Sequence, residues 1–140
     1  MARFFEFVSN HLLLVGVFVG LLVLFVMNES RRGGRSVTAQ ELVNLVNREK
    51  ALVLDVRDRK EFAAGHIVDA VNIPFATLDK RMSELNSHRD RPIVVTCKMG
   101  QHAGAAGALL RKAGFSNVMR LSGGIAEWRS SSLPVVKGKE

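Results

Sequence analysis

Val94–Phe115 reads "VVTCKMGQHAGAAGALLRKAGF" and holds the only cysteine in the 140-residue chain, Cys97. The run leading into it, "PIVVT" (92–96), is short, apolar and β-branched, which predicts a buried strand. The stretch after it, "HAGAAGALLRKAG" (102–114), predicts a helix stopped by Gly114. "CKMGQH" (97–102) is then a tight loop from the end of a strand to the start of a helix, the place where parallel sheets bind ligands. Gly100 lets such a loop turn its backbone N–H groups inward, and the positive end of the helix adds to the attraction for an anion. The anion would be the thiolate of Cys97, with Lys98 as a nearby positive charge, and a thiolate held this way is a ready nucleophile. A free cysteine is also commonly a small buried hydrophobe. The C-x-x-G spacing alone does not separate the two readings.

Outward from this loop the pattern keeps alternating. Thr38 and Glu41 form a capping-box signature ahead of "ELVNLVNREK" (41–50), a helix. "ALVLDV" (51–56) is a strand, and Asp58 with Glu61 repeats the capping signature for a short helix stopped by Gly65. "AVNIP" (70–74) is a strand closed by Pro74, "ATLDKRMSELNS" (76–87) a helix, "NVMRL" (117–121) a strand, and "SGGIAEWRSS" (122–131) a glycine turn with a last short helix. Strands alternating with helices predict an α/β domain, a small parallel sheet flanked by helices.

The first thirty residues differ in kind. Leu12–Met27, "LLLVGVFVGLLVLFVM", contains nothing more polar than glycine. Extended to Phe7–Asn28 and wound as one helix it would span roughly 33 Å, about one hydrocarbon core. A core helix would show a polar stripe, and a signal peptide a small-x-small cleavage pattern; neither is present. The expectation is one N-terminal transmembrane helix, with residues 1–35 as anchor and basic linker and 36–140 as the folded domain. Arg31, Arg32 and Arg35 outnumber Arg3 across the span, which predicts a single pass with the domain cytoplasmic. One cysteine fits a reducing compartment. The net charge of +7 is scattered among acids, with no aromatic-interleaved basic patch, so a nucleic-acid partner is not expected. A lone cysteine and dispersed histidines imply no metal.

"LVLDVRDRKEFAAGHIVDAVNIP" (52–74), "IVVTCKMGQHA" (93–103) and "LRKAGFSNVMRLSGGIAEW" (110–128) follow one another as the motifs of the rhodanese family do. From about Thr38 to Arg129 the chain resembles a single-domain rhodanese. The resemblance implies a rhodanese-like fold and a sulfurtransferase without cofactor. It implies that Cys97 carries sulfane sulfur as a persulfide, wrapped by the backbone of Lys98, Met99, Gly100, Gln101 and His102 as substrate-binding loop. Asp55 and Arg57 match the family's "DVR" as supporting residues, and Gly123, Gly124 and Trp128 match its "GG…W". The resemblance suggests a small-molecule or protein sulfur donor and a thiol acceptor as partners, and the apolar span adds the membrane through residues 7–28 and a membrane protein. Val68 and Asp69 stand where the family often has Pro and Gly, and His102 where it often has Arg. Imidazole is only partly charged near neutral pH, which predicts weak use of dianionic thiosulfate.

Two other functions compete. A phosphatase or arsenate reductase of related fold needs a longer loop ending in an anion-gripping arginine, but Ala103 stands at that position. A membrane-tethered binding or accessory module with little turnover is the other, since fold does not dictate function. Among the remaining residues, Asp55 with Arg57 reads as a structural ion pair, His66 as ordering a turn, His88 as solvated, and Trp128 as core. Gly104 and Gly107 read as allowing close packing of their helix on the sheet.

Overall fold

The apolar runs form strands because their side chains are buried on both faces of a parallel sheet. The computed structural model describes residues 1–32 and 34–138. Two units are distinguished, Met1–Arg31 and the remainder from Arg32.

In the first unit, α1 (Ala2–Asn10) and α2 (Leu12–Arg32) are separate helices. The continuous helix expected over Phe7–Asn28 is broken at His11, and the two pieces are bent by 91°. Local polar side chains explain the break. Ser9 Oγ donates to the Glu6 carbonyl at 2.9 Å, and His11 Nδ1 lies 3.0 Å from the Phe7 carbonyl with its ring stacked on Phe7. Such bonds offer the backbone an alternative to continuing the helix. No single helix among the described residues is long and apolar enough to cross a membrane; the bent pair passes only together. The side chains of Leu12–Met27 are exposed all round α2, apart from half-buried Val15.

The second unit runs β1 (Arg35–Val37), α3 (Ala39–Glu49), β2 (Leu52–Asp55), α4 (Arg59–Ala64), β3 (Val71–Asn72), α5 (Phe75–Arg81), a 3₁₀ helix (Met82–His88), β4 (Ile93–Thr96), α6 (Ala103–Lys112), β5 (Val118–Leu121) and α7 (Gly124–Ser130). All strand pairs are parallel, in the order β1-β5-β4-β2-β3. Because strand side chains alternate, Leu52, Leu54, Ile93, Val95 and Cys97 face one layer with Leu78, Ala106 and Leu110. Val53 and Val94 face the other with Leu42, Phe62, Met119 and Trp128. Cys97 therefore follows β4 directly, on the same face as Val95, against α5 and α6.

Several expectations need correcting. The linker "ESRRGGRS" ends in a strand: β1 begins at Arg35 and pairs with Met119–Leu121. Thr38 caps α3 through Glu41 N–H, but the Glu41 carboxylate goes to Arg35 rather than back to the cap. Asp58 stands at the N-cap of α4 without a capping bond. The long helix expected over 76–87 changes after Arg81 into a 3₁₀ segment, where Arg81 and Glu84 pair three residues apart, the spacing that eclipses in that geometry. Asp69 adopts φ 63°, a left-handed conformation that Asp tolerates.

Candidate active site

Cys97 is 2 % exposed and its loop is shaped by contacts on two sides. Inside the loop, the Gly100 amide donates to Cys97 Sγ at 2.9 Å, and Gly100 has φ +96°, a conformation for which glycine is suited. The Gln101 side chain folds back so that its Oε1 accepts from the Met99 amide at 3.0 Å and lies 3.8 Å from Sγ. The expected cradle thus has the Gly100 amide on the sulfur, while the Met99 amide is taken by a side chain. The Gln101 and His102 amides, just ahead of α6, make no hydrogen bond among the described residues.

Outside the loop, the start of α7 holds it in place. The Ile125 amide donates to the Cys97 carbonyl at 2.8 Å and the Ala126 amide to the Lys98 carbonyl at 3.1 Å. Free donors of one helix terminus thereby satisfy loop carbonyls and turn them away from the sulfur. The approach is so close that a Cβ on Gly124 would lie 2.3 Å from the Cys97 carbonyl oxygen and 2.9 Å from the Gly100 nitrogen. The sequence marked Gly123 and Gly124 as a turn, but not as the partner of the loop.

On the neighbouring strand, Asp55 lies opposite Thr96. Its carboxylate is gripped by Arg57, with Nε at 3.0 and 3.1 Å and Nη2 at 2.7 Å, while the Arg57 amide adds a fourth bond at 3.0 Å. Arg57 Nη2 also donates to the Gly65 carbonyl at 2.8 Å. Both side chains are buried, so the pair organises the strand end. Asn72 donates to the Asp55 and Arg57 carbonyls and ties β3 to the same corner.

His66 is fully buried behind this corner, stacked on Phe62. Its Nδ1 donates to the Phe62 carbonyl at 2.7 Å, and its backbone bridges Val136. It orders the turn and pins the chain end. Trp128 belongs to the core and donates to the Pro134 carbonyl. His88 is not simply solvated: its Nδ1 accepts from Arg91 at 2.9 Å.

Above Cys97 opens a cavity of about 300 Å³ lined by Val56, Arg57, Asp58, Glu61, Phe75, Ala76, Lys98, Gln101 and His102. His102 stacks on Phe75 at 5.3 Å. Met99 is exposed and Gly100 half-buried, and neither lines the cavity. Asp58 and Glu61, read from the sequence only as a capping pair, and Phe75, which it did not single out, are wall residues that only their placement near Cys97 reveals. A larger groove of about 690 Å³ beside α4 and β3 is not lined by Cys97.

The family model described as "Rhodanese-like domain" matches residues 38–131. The chain belongs to the rhodanese family. It is 32 % identical to the "Uncharacterized protein YibN" of Escherichia coli (strain K12) over 99 % of this chain and 100 % of that one. A protein of Allochromatium vinosum named "Sulfurtransferase" is 37 % identical over 66 % of this chain and 84 % of its own. Among solved structures, a rhodanese-related protein from Thermoplasma volcanium superposes with TM-score 0.68 at 33 % identity, over 74 % of this chain and 99 % of that one. The rhodanese match starts at Thr38, in the second unit, and ends at Ser131, just after α7. It thus includes both the Cys97 loop and the helix that holds it.

Proposed function

We propose that this rhodanese is a membrane-anchored sulfurtransferase that carries sulfane sulfur on Cys97. The observation that carries the reading is the Gly100 amide 2.9 Å from Sγ, in a loop braced by α7 and open to a cavity. The Cys97 thiolate attacks the terminal sulfur of a donor. A new S–S bond forms as the donor's bond to that sulfur breaks, and the leaving group, sulfite in the case of thiosulfate, departs with the electron pair. An acceptor thiolate then attacks the outer sulfur of the persulfide and Cys97 leaves as thiolate. Backbone donors fixed before the reaction stabilise the negative sulfur at each stage. Gln101 and His102, whose amides have no other acceptor, serve the outer sulfur. The relative named as a sulfurtransferase supports this chemistry.

The anchor is supported by the uninterrupted apolar surface of Leu12–Met27. The arginines at 31, 32 and 35 favour a cytoplasmic domain. The test is Cys97→Ser, assayed in the membrane fraction. The hydroxyl nearly matches the thiol in size but carries no persulfide, so sulfur transfer disappears while the fold persists. Undiminished transfer in that variant would refute the mechanism, and recovery of the full chain in the soluble fraction would refute the anchor.

A further inference from the structure

We propose that the Cys97 cavity receives a zwitterionic aminothiol, a cysteine-type amino acid or its persulfide. Its ammonium is held by Asp58 and Glu61 and its carboxylate by Lys98. The proposal rests on the sulfur-carrier reading and specifies the substrate class of that site.

The cavity lining carries charges of both signs. Arg57 is unavailable to a ligand, since its guanidinium is committed to Asp55 and the Gly65 carbonyl. His102 has its ring against Phe75. Lys98 is then the lysine or arginine on this wall without a carboxylate partner among the described residues. On the α4 wall, Asp58 occupies the N-cap position yet makes no capping bond, and Glu61 one turn later makes no ion pair among the described residues. Two carboxylates and one ammonium without an ion pair among the described residues thus share a cavity with Cys97. Its volume of about 300 Å³ is at the small end for ligand sites.

A dianion such as thiosulfate meets two like charges here, which disfavours its entry. A thiol bearing only a carboxylate meets the same repulsion. A thiol bearing both an ammonium and a carboxylate finds an opposite charge on each wall, with its sulfur directed to Cys97. The reaction balances as ordinary thiol–disulfide exchange. The aminothiolate bonds to the outer sulfur of the Cys97 persulfide, the S–S bond breaks, and its electron pair returns to Cys97.

The full chain in detergent is loaded with inorganic polysulfide, freed of excess reagent, and discharged with cysteine, cysteamine or mercaptopropionate while the mass of the protein is followed. Each thiol is compared between wild type and variant, which cancels its intrinsic reactivity. Asp58→Asn combined with Glu61→Gln is expected to slow discharge by cysteine and cysteamine about fivefold relative to mercaptopropionate, the scale of an exposed ion pair. Lys98→Gln should slow cysteine and mercaptopropionate relative to cysteamine. Glu61→Lys should speed discharge by mercaptopropionate, a gain that damaged folding does not give. Rate ratios unchanged across all three variants overturn the proposal while leaving the sulfur carrier standing. Failure of polysulfide and of a cysteine persulfide alike to add sulfur to wild-type Cys97 overturns both.

Discussion

The Ile125 amide donates to the Cys97 carbonyl at 2.8 Å, which ties the Cys97 loop to α7 although they are far apart in sequence. Gly124 lies at the closest approach, with φ +61° and no room for a Cβ. Gly124→Ala would push a methyl group into backbone that cannot yield as a flexible side chain can. We predict a loss of about 2 kcal/mol or more in stability, from overpacking and left-handed strain. Sulfur uptake should fall further than stability, because the Gly100 amide moves off Sγ. Denaturant melts and persulfide loading on the same preparation check this; an unchanged loading rate would separate α7 from the site.

His102 closes the loop and stacks on Phe75. A dianionic donor is held best by a permanent positive charge with paired donors. His102→Arg should supply a permanent fork of donors and raise kcat/KM for thiosulfate about tenfold. Transfer from an uncharged persulfide donor should change far less. Equal effects on both donors would assign His102 a packing role.

His88 is held below its usual imidazole range by burial first and by the positive charge of Arg91 second. The folded chain therefore binds this proton less readily than the unfolded chain. Its contribution to stability is complete above the unfolded value of about 6.5 and is lost as pH falls from there through the lower folded value. Thermal melts between mildly alkaline and mildly acidic pH should show wild type losing more stability than His88→Gln. Identical losses would remove His88 from the acid response.

The boundary of the folded domain can be tested by truncation. Deleting residues 1–31 should leave the sheet complete. Deleting residues 1–37 also removes β1, whose Val37 is fully buried, and should cost about 2–3 kcal/mol from that side chain alone. Equal stability of the two truncated chains would show that β1 contributes nothing to the domain.

The central strands were legible because burial on both faces demands continuous apolar residues, as in Leu52–Leu54 and Ile93–Val95. β1 escaped notice because only Val37 of its three residues is buried, and Gly33, Gly34 and Arg35 read as linker. The break at His11 depends on side-chain bonds to carbonyls that no hydropathy pattern reveals. Cys97 and its loop were readable from strand–loop–helix order and from the family motifs. The brace from α7 was not, since a glycine pair marks a turn but not what the turn touches. Asp58 was misread for a related reason. An N-cap residue type predicts a capping bond, whereas its side chain here makes none and lines the cavity beside Cys97.

Mass spectrometry of the full chain after exposure to a sulfane-sulfur donor tests the central claim most directly. The account predicts one added sulfur, localised to Cys97, removed by a thiol acceptor and absent from Cys97→Ser. A wild-type chain that stays unmodified in the presence of thiosulfate, polysulfide and a cysteine persulfide alike would contradict it.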